Sequence, residues 1–173
     1  MSIQQQASRL ISAGGLVIGS VLGMAGTFVP DASVRGLLWG LDGVALIVAS
    51  SLLTMAYLRK GNEIVAAGFL VFVAGETLIL SGAAMDLVAS GPVFGAGVSL
   101  WSASLFLLSV TKEAASWVRI LGVISGLLFL AVAVQLFIGR ELTPLSQPLP
   151  FFAYPFLVAT LLGWAWKCYR SAD

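Results

Sequence analysis

Apolar and polar positions alternate along this chain on the scale of whole segments rather than single turns. Six runs of roughly twenty mostly apolar residues, the length that crosses a bilayer as a helix, are separated by short breaks of proline, glycine and charge. The pattern predicts helices over 8–29, 36–58, 64–88, 93–110, 116–138 and 151–169 within a single domain over 1–173. The breaks are Pro30-Asp31, Arg59-Lys60-Gly61-Asn62, Ser90-Gly91-Pro92, Lys112-Glu113 and Gly139-Arg140, and Arg170 ends the last helix. Such residues are expelled from a lipid-facing helix because they lack a backbone donor or carry charge that must be desolvated.

Composition says why the segments need lipid. Of 173 residues, 59% are hydrophobic and 10% charged, against about 25% charged in a typical soluble domain. A water-soluble surface cannot be covered from that stock, so the expected fold is an all-α integral membrane protein, a compact bundle of six transmembrane helices. Arg9, the apolar run after it and Ala25-Gly26 resemble a leader peptide faintly; the segment is read as the first span.

The basic residues give an orientation. Arg9, Arg59, Lys60, Lys112, Arg119, Lys167 and Arg170 fall on one side of this topology, and only Arg35 and Arg140 on the other. The positive-inside rule then places both ends in the cytoplasm, N-in/C-in, in a membrane of the bacterial cytoplasmic type. Trp117, Trp164, Trp166 and Tyr169 are expected at the inner interface, and Trp101 lies within a span. The 139–150 connection, with Pro144, Pro148 and Pro150, reads as an extended outer strap.

Between helices in lipid, close approach of backbones replaces the hydrophobic effect, so small residues mark the contacts. Gly15, Gly19 and Gly23 recur every fourth residue in the first helix and define a packing face, against another helix of the chain or a second copy. Ala67-Gly68, Ala74-Gly75 and Ser81-Gly82 recur every seventh residue in the third, the period of left-handed packing.

Charges inside spans are costly and mark functional positions. Glu76 lies about twelve residues into the third helix, roughly 18 Å deep at 1.5 Å per residue, beside Gly75 and with no Lys or Arg at its depth. A midplane carboxyl of this kind serves proton-coupled transport or a helix-to-helix hydrogen bond. Asp42 lies about six residues into the second helix, roughly 9 Å from the outer side, and Arg35 is its nearest basic neighbour. Asp86 is placed near the outer end of the third helix, in reach of Arg35 or Arg140. Gln135, Thr77, Ser81 and Ser104 could line a shared acidic cavity suited to a proton or a cationic solute.

Other chemistry is limited by what the chain lacks. It has no histidine and one cysteine, Cys168, so haem and zinc ligands, a histidine base and an intrachain disulfide are not expected. A net charge of +1 without a basic run offers nothing to nucleic acid. No nucleotide loop or catalytic triad is present, and no cofactor, metal site or enzymatic activity is expected. The leading expectation is small-solute or proton-linked transport or binding through Glu76, Asp42 and Asp86. The alternative is an accessory subunit that stabilises a larger membrane complex through the Gly15, Gly19 and Gly23 face. Its partners would be the lipid bilayer and a second copy or another membrane protein.

Overall fold

The computed structural model describes residues 3–83, 87–140 and 152–171. It holds six helices: α1 (Ile3–Phe28), α2 (Ala32–Arg59), α3 (Glu63–Ala83), α4 (Leu87–Val110), α5 (Ser116–Phe137) and α6 (Tyr154–Arg170). There is no strand among the described residues. Five helices, α1 to α5, are long and apolar enough to cross a membrane, which fits membrane association.

Helix starts and stops follow local chemistry. Asp31 Oδ1 accepts from the Val34 N–H at 2.9 Å and caps α2, one of the four orphan donors at a helix start. This cap begins the helix at Ala32 rather than at the predicted 36. At the other end Gly61 adopts φ +72°, and the N–H groups of Gly61 and Asn62 return to the carbonyls of Leu58 and Tyr57 at 3.0 Å each. That left-handed turn is open to glycine at no steric cost. Asn62 then starts α3, accepting from the Val65 N–H at 3.3 Å.

One predicted break moves. Ser90-Gly91-Pro92, assigned to a connection, lies inside α4. Pro92 stands early in that helix, and the missing donor costs one bond to a carbonyl of the first turn rather than a bond in mid-helix. The third and fourth helices are therefore divided before Leu87 instead of at 90–92. Helix α1 also begins earlier than predicted, at Ile3.

The six helices form a closed ring. Each packs on its neighbours in sequence, α6 packs back on α1, and no other helix pair is in close backbone contact. Every seam is antiparallel. Along α1, Gly15 faces Ala45 and Ala49, Gly19 faces Leu46, Gly23 faces Asp42 and Gly26 faces Trp39, so rising numbers on α1 meet falling numbers on α2. A Cβ on Gly15 would stand 2.9 Å from both the Ala45 carbonyl oxygen and Ala49 Cβ. The stripe is thus occupied within the chain. On α3, Gly68, Gly75 and Gly82 turn toward α4 while Ala67, Ala74 and Ser81 are exposed, so one member of each small pair does the packing.

Large rings span the interior where the backbones stay apart. Tyr57 of α2, Phe69 of α3 and Trp164 of α6 form one cluster, with Phe69 and Trp164 edge to face at 5.1 Å. Phe72 of α3, Trp101 of α4, Phe129 of α5 and Tyr154 of α6 form a second. Trp164, expected at an interface, is 1% exposed; Trp117, Trp166 and Tyr169 are the exposed rings of that group. The outward faces carry Leu10, Val44, Leu70, Ile120, Leu127 and Leu162, among other exposed apolar side chains.

Candidate functional site

Glu76 and Asp42 come together in the wall of this ring. Glu76 is 2% exposed on α3. The position a Cβ would take on Gly43 of α2 lies 3.2 Å from Glu76 Oε1. Glycine at 43, next to Asp42, is what lets the carboxyl occupy the α2–α3 seam. Asp42 is half-buried, and a Cβ on Gly23 of α1 would stand 2.6 Å from its Oδ2. The last glycine of the α1 stripe therefore makes room for a carboxyl rather than for a backbone. Trp101 of α4 packs beside Glu76, since a Cβ on Gly75 would stand 2.9 Å from its ring, and Tyr154 of α6 stands edge-on to Trp101 at 6.3 Å.

Both acids are left incomplete. Asp42 Oδ1 and Glu76 Oε2 are buried without a hydrogen-bond partner. The Trp101 indole Nε1 is likewise buried without a partner. No Lys or Arg pairs with either acid among the described residues. Buried polar atoms in native proteins are nearly always satisfied, and a buried carboxylate without a counter-charge is among the most costly arrangements.

Several expected members of the site lie elsewhere. Arg35 donates to the carbonyls of Val29 and Pro30 at 3.1 and 3.3 Å and lies over the Trp39 ring at 5.7 Å, so it closes the end of α1 and is not paired with Asp42. Thr77 and Ser81 are exposed, and Thr77 bonds back to the Val73 carbonyl at 2.8 Å; they lie roughly 100° and 140° around the helix from Glu76, on another face. Ser104 is fully buried with its Oγ unpartnered. Gln135 is half-buried on α5, which touches α4 and α6 but neither α2 nor α3. Asp86 and most of the 139–150 connection lie outside the described residues.

A second polar cluster closes one end of the ring. Lys167 of α6 bonds Glu113 Oε2 at 2.6 Å and also the Glu113 carbonyl, and Asn62 Nδ2 donates to Glu113 Oε1 at 3.1 Å. Lys167 Nζ lies 5.5 Å from the Tyr57 ring centre and 5.2 Å from that of Trp164, and Lys60 Nζ lies 4.9 Å over Tyr57, within cation–π range. Arg9 of α1 donates to the Ser171 carbonyl after α6, fastening the closing seam. Lys167, bonded to Glu113, holds that carboxyl below its ordinary range, against the opposing effect of its partial burial; Asn62 adds to the lowering. Lys60 is held below the usual lysine range, first by burial and then by Arg9 and Lys167.

Sequence reasoning passed over Tyr154, Trp101 as a neighbour of Glu76, and the Glu113–Lys167 pair. Trp101 had a readable signal, since tryptophan in mid-span is away from the interfaces it prefers. So did Glu113, an acid in an otherwise basic connection. No family model, curated protein or solved structure matches this chain.

Proposed function

We propose that the chain is an integral membrane protein of six spans, with both ends in the cytoplasm of a bacterial-type cell, that binds or moves a small solute in a proton-linked manner through Glu76 and Asp42. The observation that carries this reading is the pair of buried, unpartnered carboxyl oxygens, Asp42 Oδ1 and Glu76 Oε2, on adjacent helices without a cation. Two acids so close cannot both stay charged cheaply, so they exchange a proton with whatever cation displaces it. The orientation rests on the basic end formed by Arg9, Lys60, Lys112, Lys167 and Arg170. An accessory role through Gly15, Gly19 and Gly23 is less favoured, because α2 covers that face.

Proton flux into proteoliposomes, read by an entrapped pH dye under a potassium diffusion potential, tests the reading. The wild-type chain should carry flux above empty vesicles, and Glu76→Gln should not. Equal flux from both proteins would end it. Labelling of Ser33→Cys and Lys112→Cys by an impermeant thiol reagent, in a Cys168→Ser background, tests the orientation: only the first should react from outside the cell.

A further inference from the structure

The polar cluster at one end of the ring carries more positive charge than its own bonds consume. Three cations meet there: Arg9 of α1, Lys60 at the end of α2 and Lys167 of α6. The Nζ atoms of Lys60 and Lys167 lie 4.9 and 5.5 Å from the centre of one ring, so the buried Tyr57 seats both ammonium groups. Arg9 donates to the Ser171 carbonyl, and the Ser171 N–H and Oγ return to the Lys167 carbonyl at 3.1 and 2.8 Å. The guanidinium is thereby fixed at the turn that follows Lys167. Long basic side chains on a surface range over many rotamers, whereas these three are seated on rings or on a carbonyl. Among the described residues one carboxylate, that of Glu113, answers this group, and it is bonded to Lys167. Arg9 and Lys60 have only an uncharged carbonyl and an uncharged ring as partners, so two positive charges go without an anion. Lys60 feels the excess: burial first, and then Arg9 and Lys167, hold it below the usual lysine range.

The flank beside these charges is apolar. Leu162, Trp166 and Tyr169 are exposed and recur at steps of four and three, so they share one outward stripe of α6. That stripe ends at Arg170, and the Trp166 and Tyr169 rings stack at 6.1 Å with 27° between their planes. Leu10 and Leu58, close in sequence to Arg9 and Lys60, are exposed too. Rings with an apolar body and a polar tip favour the level of lipid headgroups. A free anion would use the charges and leave the apolar flank bare. A phospholipid uses both, with phosphate oxygens for the cations and acyl chains for the stripe. We infer that Arg9, Lys60 and Lys167 form a site for the headgroup phosphate of an anionic phospholipid, drawn from the leaflet at this end of the bundle. Basic pockets between spanning helices hold such headgroups by the same means. By joining Arg9 to Lys167, the headgroup also braces the seam where the first and last helices meet.

The inference rests on the proposed function only in that the chain spans a membrane; Glu76 and Asp42 take no part in it. The test is native mass spectrometry of the full chain, delipidated in mild detergent and titrated with phosphatidylglycerol, cardiolipin or phosphatidylcholine. The two anionic lipids should form a saturable adduct at concentrations where phosphatidylcholine does not. Arg9→Gln and Lys60→Gln should each weaken that adduct about fivefold, the scale of one basic residue at an anionic surface; if the Arg9 variant does not fold, Lys60→Gln decides. Lys112→Gln, which removes the same charge from the same end, should bind as wild type does. Equal uptake of phosphatidylcholine, unchanged affinity in Lys60→Gln, or a loss as large in Lys112→Gln would overturn the inference, the last by showing a diffuse effect of charge. Inorganic phosphate that binds the lipid-free chain as tightly as phosphatidylglycerol would overturn it too, by assigning the cations to a free anion. A chain that selects anionic lipid but moves no protons refutes only the coupling. One that moves protons through Glu76 but takes all lipids alike refutes only the headgroup site. A chain that takes up no lipid of any class refutes this site and the membrane reading together.

Discussion

Glu76 and Glu113 are the same side chain in opposite circumstances. Glu113 sits at one end of the ring with an ammonium on one oxygen and an amide on the other, its side chain 35% exposed. Glu76 sits in the wall, 2% exposed, beside a second acid and without a cation. The first has every partner it needs from Asn62 and Lys167, and so ties the α2–α3 turn, the α4–α5 connection and α6 into one clamp. The second has been given space by the glycine at 43 but no counter-charge. A carboxyl becomes structural when the fold completes it; on the function proposed above, one left without a counter-charge is free to exchange a proton.

Exchanging each acid for its amide is the strongest way to break this contrast. Glu76→Gln should lower proton flux on the order of a hundredfold, the scale of removing a positioned proton-transfer group, while Glu113→Gln should stay near wild type in the same vesicles. If the two variants behave alike, the distinction drawn here is wrong. Next in size is Gly23→Ala. Its new methyl would press on the Asp42 carboxylate, at 2.6 Å from Oδ2, and overpacking of this kind costs about 1 to 3 kcal/mol. Denaturation in mixed micelles should show that loss, whereas Gly36→Ala, where nothing lies within 4 Å, should show none.

The clamp has a smaller but cleaner signature. Lys167→Met removes a pair whose side chains are 27% and 35% exposed, worth about 1 kcal/mol at most. Cys168, the next residue, is buried, so maleimide should react with it about fivefold faster, the ratio that 1 kcal/mol sets for a local opening. An unchanged labelling rate would show that Lys167 holds nothing shut. The least effect comes from pH. Because Glu113 is held below the ordinary value of 4.5, the stability it adds is present above that value and is lost as the pH falls through the lowered one. Glu113→Gln should be less stable than wild type at neutral pH, and the difference should close on acidification toward pH 3.

Much of the fold could be read from the chain because lipid-length apolar runs announce themselves. The helix count and the Gly15, Gly19 and Gly23 face needed only spacing. Pro92 misled because its meaning depends on position: near a helix start it breaks little, and no local pattern said that a helix had begun at Leu87. The site was half legible. Buried acids stand out in any hydrophobic sequence, so Glu76 and Asp42 were found. Trp101 stood out only as a mid-span tryptophan, and Tyr154 gave no signal, because its place is set by how α6 packs against Trp101 and Phe129. Trp164 and Trp166 differ by two positions, and which one faces inward is fixed by the rotation of α6 against Tyr57 and Phe69.

The seam between α1 and α6 has a consequence for biosynthesis. These two helices are the most distant in the chain, yet they touch along the ring and are fastened by Arg9 and Ser171. Each of the other five seams joins helices made one after the other and can zip as synthesis proceeds. This one cannot form until the last helix leaves the ribosome. Throughout translation the buried residues of α1 that lie off its glycine line, Ala13 and Ser20 among them, have incomplete cover. The nascent chain is therefore an open arc, and an assembly factor that guards that arc would have to recognise α1 and let go when α6 arrives.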